Sequence, residues 1–132
     1  ECCRNEGIEP QVIVCKVDDA GRYQISDVVT QLMSLPKLPT AIACQEDGIA
    51  LPLMFQLERN GLSVPGDVSL IGYDDSFYTD DIGLTTIRQN PVGMARKAAH
   101  MTLDLTEEKP VDEPYVVAPA HLVVRSSTAK IR

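Results

Sequence analysis

Between Val64 and Asn90 the chain reads VPGDVSLIGYDDSFYTDDIGLTTIRQN, and no other stretch restricts its possible folds so strongly. A turn at Pro65-Gly66-Asp67 launches an apolar run through Val68, Leu70 and Ile71. That run stops at Gly72-Tyr73 and delivers two adjacent carboxylates, Asp74 and Asp75. An apolar run ending in paired acids is how an α/β protein sets polar chemistry at the carboxyl edge of a parallel sheet.

The residues upstream fit the same architecture. Val12–Val17 reads as a buried strand that ends in Asp18-Asp19. Ile25, Val28, Val29, Leu32 and Met33 recur at helical spacing and predict an amphipathic helix over about Arg22–Leu35, which Pro36 ends. Thr40–Cys44 is a second strand and runs into Gln45-Glu46-Asp47. A second helix follows with Ala50, Leu53, Met54 and Leu57 on one face, and Gly61 closes it in a left-handed conformation. Pro52 lies inside that helix, so a late start or a kink is expected. Val68–Tyr73 is the third strand. Strand, helix, strand, helix, strand in this rhythm predicts an α/β fold, a parallel sheet flanked by helices joined through right-handed crossovers. Three acidic pairs (Asp18-Asp19, Glu46-Asp47 and Asp74-Asp75) then gather along one sheet edge. Acids at this place also cap helices. Asp47 reads mainly as such a cap, whereas for Asp74 the pattern leaves a ligand-facing and a structural role equally open. Leu51 and Phe55, at i and i+4, form a second apolar face on the same helix, which suits either a subunit contact or cover by a loop of the same chain.

The remainder changes character. Leu84–Arg88 is a short strand, and Met94, Ala98, Met101 and Leu105 line one side of a further helix. The acidic, proline-punctuated stretch Glu107–Pro114 separates it from strand-like Tyr115–Ala118 and Leu122–Arg125. At 132 residues the chain is one domain's worth and long enough to bury a core. Its net charge of −7, with no basic cluster, argues against gripping nucleic acid unaided. No apolar run approaches the ~20 residues of a membrane helix, and no signal-peptide pattern opens the chain. Glu1 stands where a methionine would begin a natural protein, which leads us to expect sequence upstream. Cys2, Cys3, Cys15 and Cys44 lack metal-ligand spacing and read as reduced, structural thiols of a cytoplasmic protein. No cofactor and no metal site is expected.

The order of these residues resembles a family signature. Val64–Asp75 followed by Leu84–Gln89 is similar to the VP-x-D-(V/I)-S-hydrophobic-hydrophobic-G-(Y/F)-D-D … LTT-hydrophobic-x-Q composite of the lactose-repressor/galactose-repressor group of bacterial transcription regulators. Pro39-Thr40-Ala41-Ile42 with Asp47 and Ala50, and the closing Leu122–Ser127, resemble two further anchors of that group, so the likeness spans nearly the whole chain. It implies a C-terminal lobe of a periplasmic-binding-protein-like (type I) effector domain: residues 1–87 and 113–128 form the lobe, and 88–112 cross to a companion lobe. The implied function is small-molecule sensing, of a sugar or related effector, by a homodimeric regulator without catalysis. Operator DNA would be met only through an N-terminal domain outside these residues. Carried over residue by residue, Asp74 matches the effector-binding acid and Gln89 a crevice-lining amide. Glu46 stands where many members have Asn, replacing a donor-acceptor amide with an acceptor-only carboxylate. Tyr23 is the aromatic available to stack on the effector. Alone, such a lobe would leave the Met94–Leu105 helix without the sheet it covers, and self-association through that segment is expected. An exported sugar-binding protein of the same fold is one alternative. A Mg²⁺-dependent phosphoryl-transfer domain using the acidic edge is another, although Lys16 lies within a strand and neither His100 nor His121 falls at a strand end.

Overall fold

The computed structural model describes residues 2–109 and 115–130. A short helix α1 (Cys2–Asn5) precedes helix α2 (Ile25–Met33). Strand β1 (Ala41–Ala43), helix α3 (Asp47–Arg59) and strand β2 (Ser69–Asp74) follow, then strand β3 (Thr85–Arg88), helix α4 (Pro91–Thr106) and strand β4 (His121–Val123). The strands form one sheet in the order β1-β2-β3-β4, with β1, β2 and β3 parallel and β4 antiparallel at the edge. Every β-rise in the parallel part therefore delivers its carboxyl end to the same side, as the strand-helix rhythm predicts.

The core lies where α2 and α3 pack on this sheet. Ile25, Val28, Val29 and Leu32 of α2 meet Ile49, Ala50, Leu53, Met54 and Leu57 of α3, with Val68, Leu70 and Leu84 from the strands beneath. The predicted inward face of α3 is thus the observed one. Pro52 sits inside α3, which nonetheless starts at Asp47, so the late start is not needed. The helix ends as its glycine demands: Gly61 is left-handed, Leu62 N–H donates to Leu57 O and Gly61 N–H to Glu58 O. That pair of bonds satisfies carbonyls the last turn would otherwise leave open.

Three expectations are corrected. Val12–Val17 is no buried strand: it joins the structure by a single bridge between Val17 and Tyr23, and Val12, Val14 and Val17 face solvent. Only its alternate residues, Ile13 and Cys15, pack against the core. Apolar composition signals strand propensity, but pairing needs a partner edge, and here none of the ladder forms. Met33 also lies outside the core, at the end of α2. Tyr115–Ala118 runs as irregular chain, exposed at Tyr115 and Val117, and no strand among the described residues pairs with it. The boundary expected at 112–113 lies outside the described residues.

The closing segment locks the sheet from below. Ser127 is buried; its hydroxyl donates to Leu70 O at 2.6 Å and accepts from Thr85 N–H at 2.8 Å, tying β2 to β3. Cys15 and Cys44 are free thiols. Burial, then the neighbouring Cys15 and Asp47, push the Cys44 thiol up to about 12, which keeps it protonated and inert at neutral pH.

Candidate functional site

Asp74 ends β2 at the carboxyl edge, level with Arg88 of β3. Both it and Asp75 adopt positive φ, +109° and +57°. A non-glycine residue held there costs roughly 1–3 kcal/mol and persists only where its surroundings over-determine it. The surroundings do so. Asp75 turns inward, its side chain only 8% exposed, and accepts hydrogen bonds from Arg125 Nη2 at 2.9 Å, Thr79 Oγ1 at 3.0 Å and Arg88 Nε. Burial raises its pKa, but the bonds from Arg88, Arg125 and Thr79 outweigh that and hold it below the ordinary carboxylate value. Two guanidinium groups therefore already neutralise Asp75, which is a structural acid.

Asp74 is left facing outward. Its Oδ1 accepts one bond, from Gln89 Nε2 at 2.7 Å. Gln89 follows β3 directly, and Asn90 then caps α4 through the Gly93 N–H. Two of the residues singled out in the sequence, Asp74 and Gln89, thus meet side chain to side chain at the sheet edge. The other two also meet. Tyr23, bridged to Val17 just after the tight loop closed by Asp18 N–H to Arg22 O, stands near Glu46, the extended residue before α3. Hydrogen bonding to Glu46, then burial and the Glu46 charge, raise the pKa of the Tyr23 phenol. The pair sets a carboxyl group beside an aromatic face.

Two further acids of these pairs, Asp18 and Asp47, are accounted for internally. Asp18 accepts from Ala20 N–H, Arg22 N–H and the Arg22 guanidinium, and so builds its own turn. Asp47 is not the helix cap expected of it. Its carboxylate is fully buried and accepts from Ser76 N–H at 2.7 Å and Thr86 Oγ1 at 2.7 Å. Arg125, Arg88 and Thr86 escaped the sequence reading; the LVVRSS segment marked only where Arg125 would lie. Among the described residues, no three His, Cys, Asp or Glu side chains come together in a metal-binding group.

Two apolar surfaces lie away from this edge. Phe55 on α3 is 50% exposed, beside half-buried Leu51. Every residue of α4 is at least partly exposed, and a cleft of about 610 Å³ runs between α4 (Met94, Ala98, Met101) and Val116–Pro119.

Comparison with known proteins places this geometry in context. The profile of the periplasmic binding protein-like domain matches residues 1–128. The arabinose metabolism transcriptional repressor of Geobacillus stearothermophilus is 34% identical over 80% of this chain and 30% of its own length. The transcriptional regulator GalR of Escherichia coli is 37% identical over 85% of this chain and 32% of its own. This chain therefore spans about a third of the length of these relatives. A LacI-family regulator from Enterococcus faecalis, solved with bound ribose, superposes at a TM-score of 0.81 with 26% identity, covering 99% of this chain and 48% of that one.

Proposed function

This chain belongs to the periplasmic-binding-protein-like domain family, as an effector-binding domain of the LacI/GalR transcription regulators, and from that premise we propose that it senses a sugar or related polyhydroxylated effector. The observation that carries the reading is the outward Asp74 carboxylate, set on a strained turn and paired with Gln89. A carboxylate accepts from ligand hydroxyls, an amide both donates and accepts, and the Tyr23–Glu46 pair adds an aromatic face and a second acceptor. One named relative represses arabinose metabolism and another was solved with ribose, which supports a sugar over a phosphate-bearing ligand. The role is binding without bond chemistry, in the cytoplasm. Effector bound at this edge would favour one of two states of the regulator and so change operator affinity; operator contact itself falls to a helix-turn-helix outside these residues.

Residues 1–87 and 113–128 act on this reading as one lobe, while 88–112 reach toward a companion lobe; the uncovered surface of α4 supports that division. Leu51 and Phe55 supply a subunit contact.

Two measurements test this. In a regulator carrying this lobe with its companion, Asp74→Ala should weaken release from operator by L-arabinose or D-ribose by well over tenfold, since a charge-assisted hydrogen bond contributes ~1.5–3 kcal/mol. Operator affinity without sugar should barely move. Overlaying titrations of variant and parent by fluorescence anisotropy would remove Asp74 from the site. Separately, the molar mass of Phe55→Glu by light scattering should fall below that of the parent. An unchanged mass moves the contact elsewhere, with α4 the next surface to probe.

A further inference from the structure

The effector reading leaves one buried group without a purpose. Asp47 begins α3 yet does not cap it, and no side chain caps that helix at all. Its two oxygens serve the opposite end of the sheet edge. Oδ2 receives the Ser76 amide, the first residue after the left-handed pair, and Oδ1 receives the Thr86 hydroxyl in the middle of β3. The same Thr86 oxygen accepts the Asp75 amide at 3.3 Å. Room for this carboxylate exists only because residue 72 is glycine: a Cβ there would stand 2.1 Å from Asp47 Oδ1.

One carboxylate therefore joins α3, β3 and the chain just after the turn. From Asp75 onward the turn is held by Thr86, Asp47, Arg88 and Arg125, whereas among the described residues the Asp74 carboxylate itself receives a bond from Gln89 alone. The direction of Asp74 is set from beneath, through the backbone that follows it.

We propose that Asp47 is a positioning residue for the crevice, holding the Asp74–Asp75 turn in the left-handed form that turns the Asp74 carboxylate outward to Gln89 and the effector. The proposal rests on Asp74 facing an effector, but the geometry it asserts is measurable with no effector present. Without the brace the turn relaxes to negative φ and Asp74 leaves Gln89.

Nuclear magnetic resonance of the 132-residue chain reads this directly. In Asp47→Leu the three-bond HN–Hα couplings of Asp74 and Asp75 should shift away from positive-φ values. The Gln89 side-chain amide should lose its bonded shift, and the Ser76 amide should exchange at least about tenfold faster. Asp47→Asn keeps an oxygen for the Ser76 amide and should restore all three signals. If Asp47→Leu fails to fold, Thr86→Val carries the test, because it removes the acceptor of the Asp75 amide and one donor to Asp47; the Asp75 coupling should then move. Couplings and Gln89 shifts that match the parent in the folded variants, with only the melting temperature lowered, would make Asp47 a mere core group and overturn the proposal. Failure of the effector reading looks different: overlaying sugar titrations for Asp74→Ala, with the Asp47 signature intact.

Discussion

Replacing Arg125 with Met should destabilise the folded chain by about 3 kcal/mol, the low end of what removing one partner of a buried ion pair costs. Asp75 and Arg125 side chains are 8% and 12% exposed. Arg88, itself more than half exposed, remains as the second cation and moderates the loss. The guanidinium also donates to Leu84 O and Asp80, bonds that Met cannot replace. Urea unfolding followed by circular dichroism gives the number. Its pH dependence follows from Asp75. Because the folded pKa lies below the ordinary carboxylate value of 3.8, the stabilisation is fully present above that value and is lost as pH falls through the folded pKa. The gap between parent and variant should therefore be widest near neutrality and close in strong acid. A loss below about 1 kcal/mol would show that Asp75 is satisfied without Arg125.

Gly72→Ala should be comparably damaging, by about 3 kcal/mol or more. A glycine-to-alanine change in a compatible conformation usually stabilises by ~0.4–1 kcal/mol, so the sign is the test. The added Cβ would meet Asp47 Oδ1 at 2.1 Å and Leu84 Cδ2 at 3.0 Å, and both residues are fully buried. Overpacking costs ~1–3 kcal/mol. Displacing Asp47 strips the Ser76 amide and Thr86 hydroxyl of their acceptor at ~1–3 kcal/mol each. A variant as stable as its parent in the same urea titration would mean that this space is not as tight as the structure draws it.

What could be read in advance was what is encoded locally. The 3.6-residue spacing of Ala50, Leu53, Met54 and Leu57 marked the buried face of α3, and Gly61 marked its end. The apolar runs of β1 and β2, and the acids that follow them, were visible for the same reason. Val12–Val17 shows the limit: its composition suits a strand, but a ladder depends on a neighbour that propensity does not specify. At the site, three acidic pairs looked alike in sequence, and only their donors tell them apart. Asp47 resembles any acid at a helix start, yet its partners Ser76 and Thr86 lie 29 and 39 residues further on. Arg125 sits 50 residues from Asp75. Such pairings are tertiary facts, and no local pattern carries them.

The bond between Ser127 and β3 has a consequence in time. Thr85 and Ser127 are 42 residues apart, and β4 with its following turn comes last among the described elements. At ~5–20 residues per second, a ribosome takes roughly 2–8 s to add those residues. During that interval β1, β2, β3 and both core helices have already been made, but β3 has an open edge and Thr85 N–H and Leu70 O lack their partner. The nascent lobe waits as a three-stranded sheet open at β3 as well as at β1, the state in which strands pair with the wrong neighbour. Fidelity of assembly therefore depends on how quickly the final strand arrives.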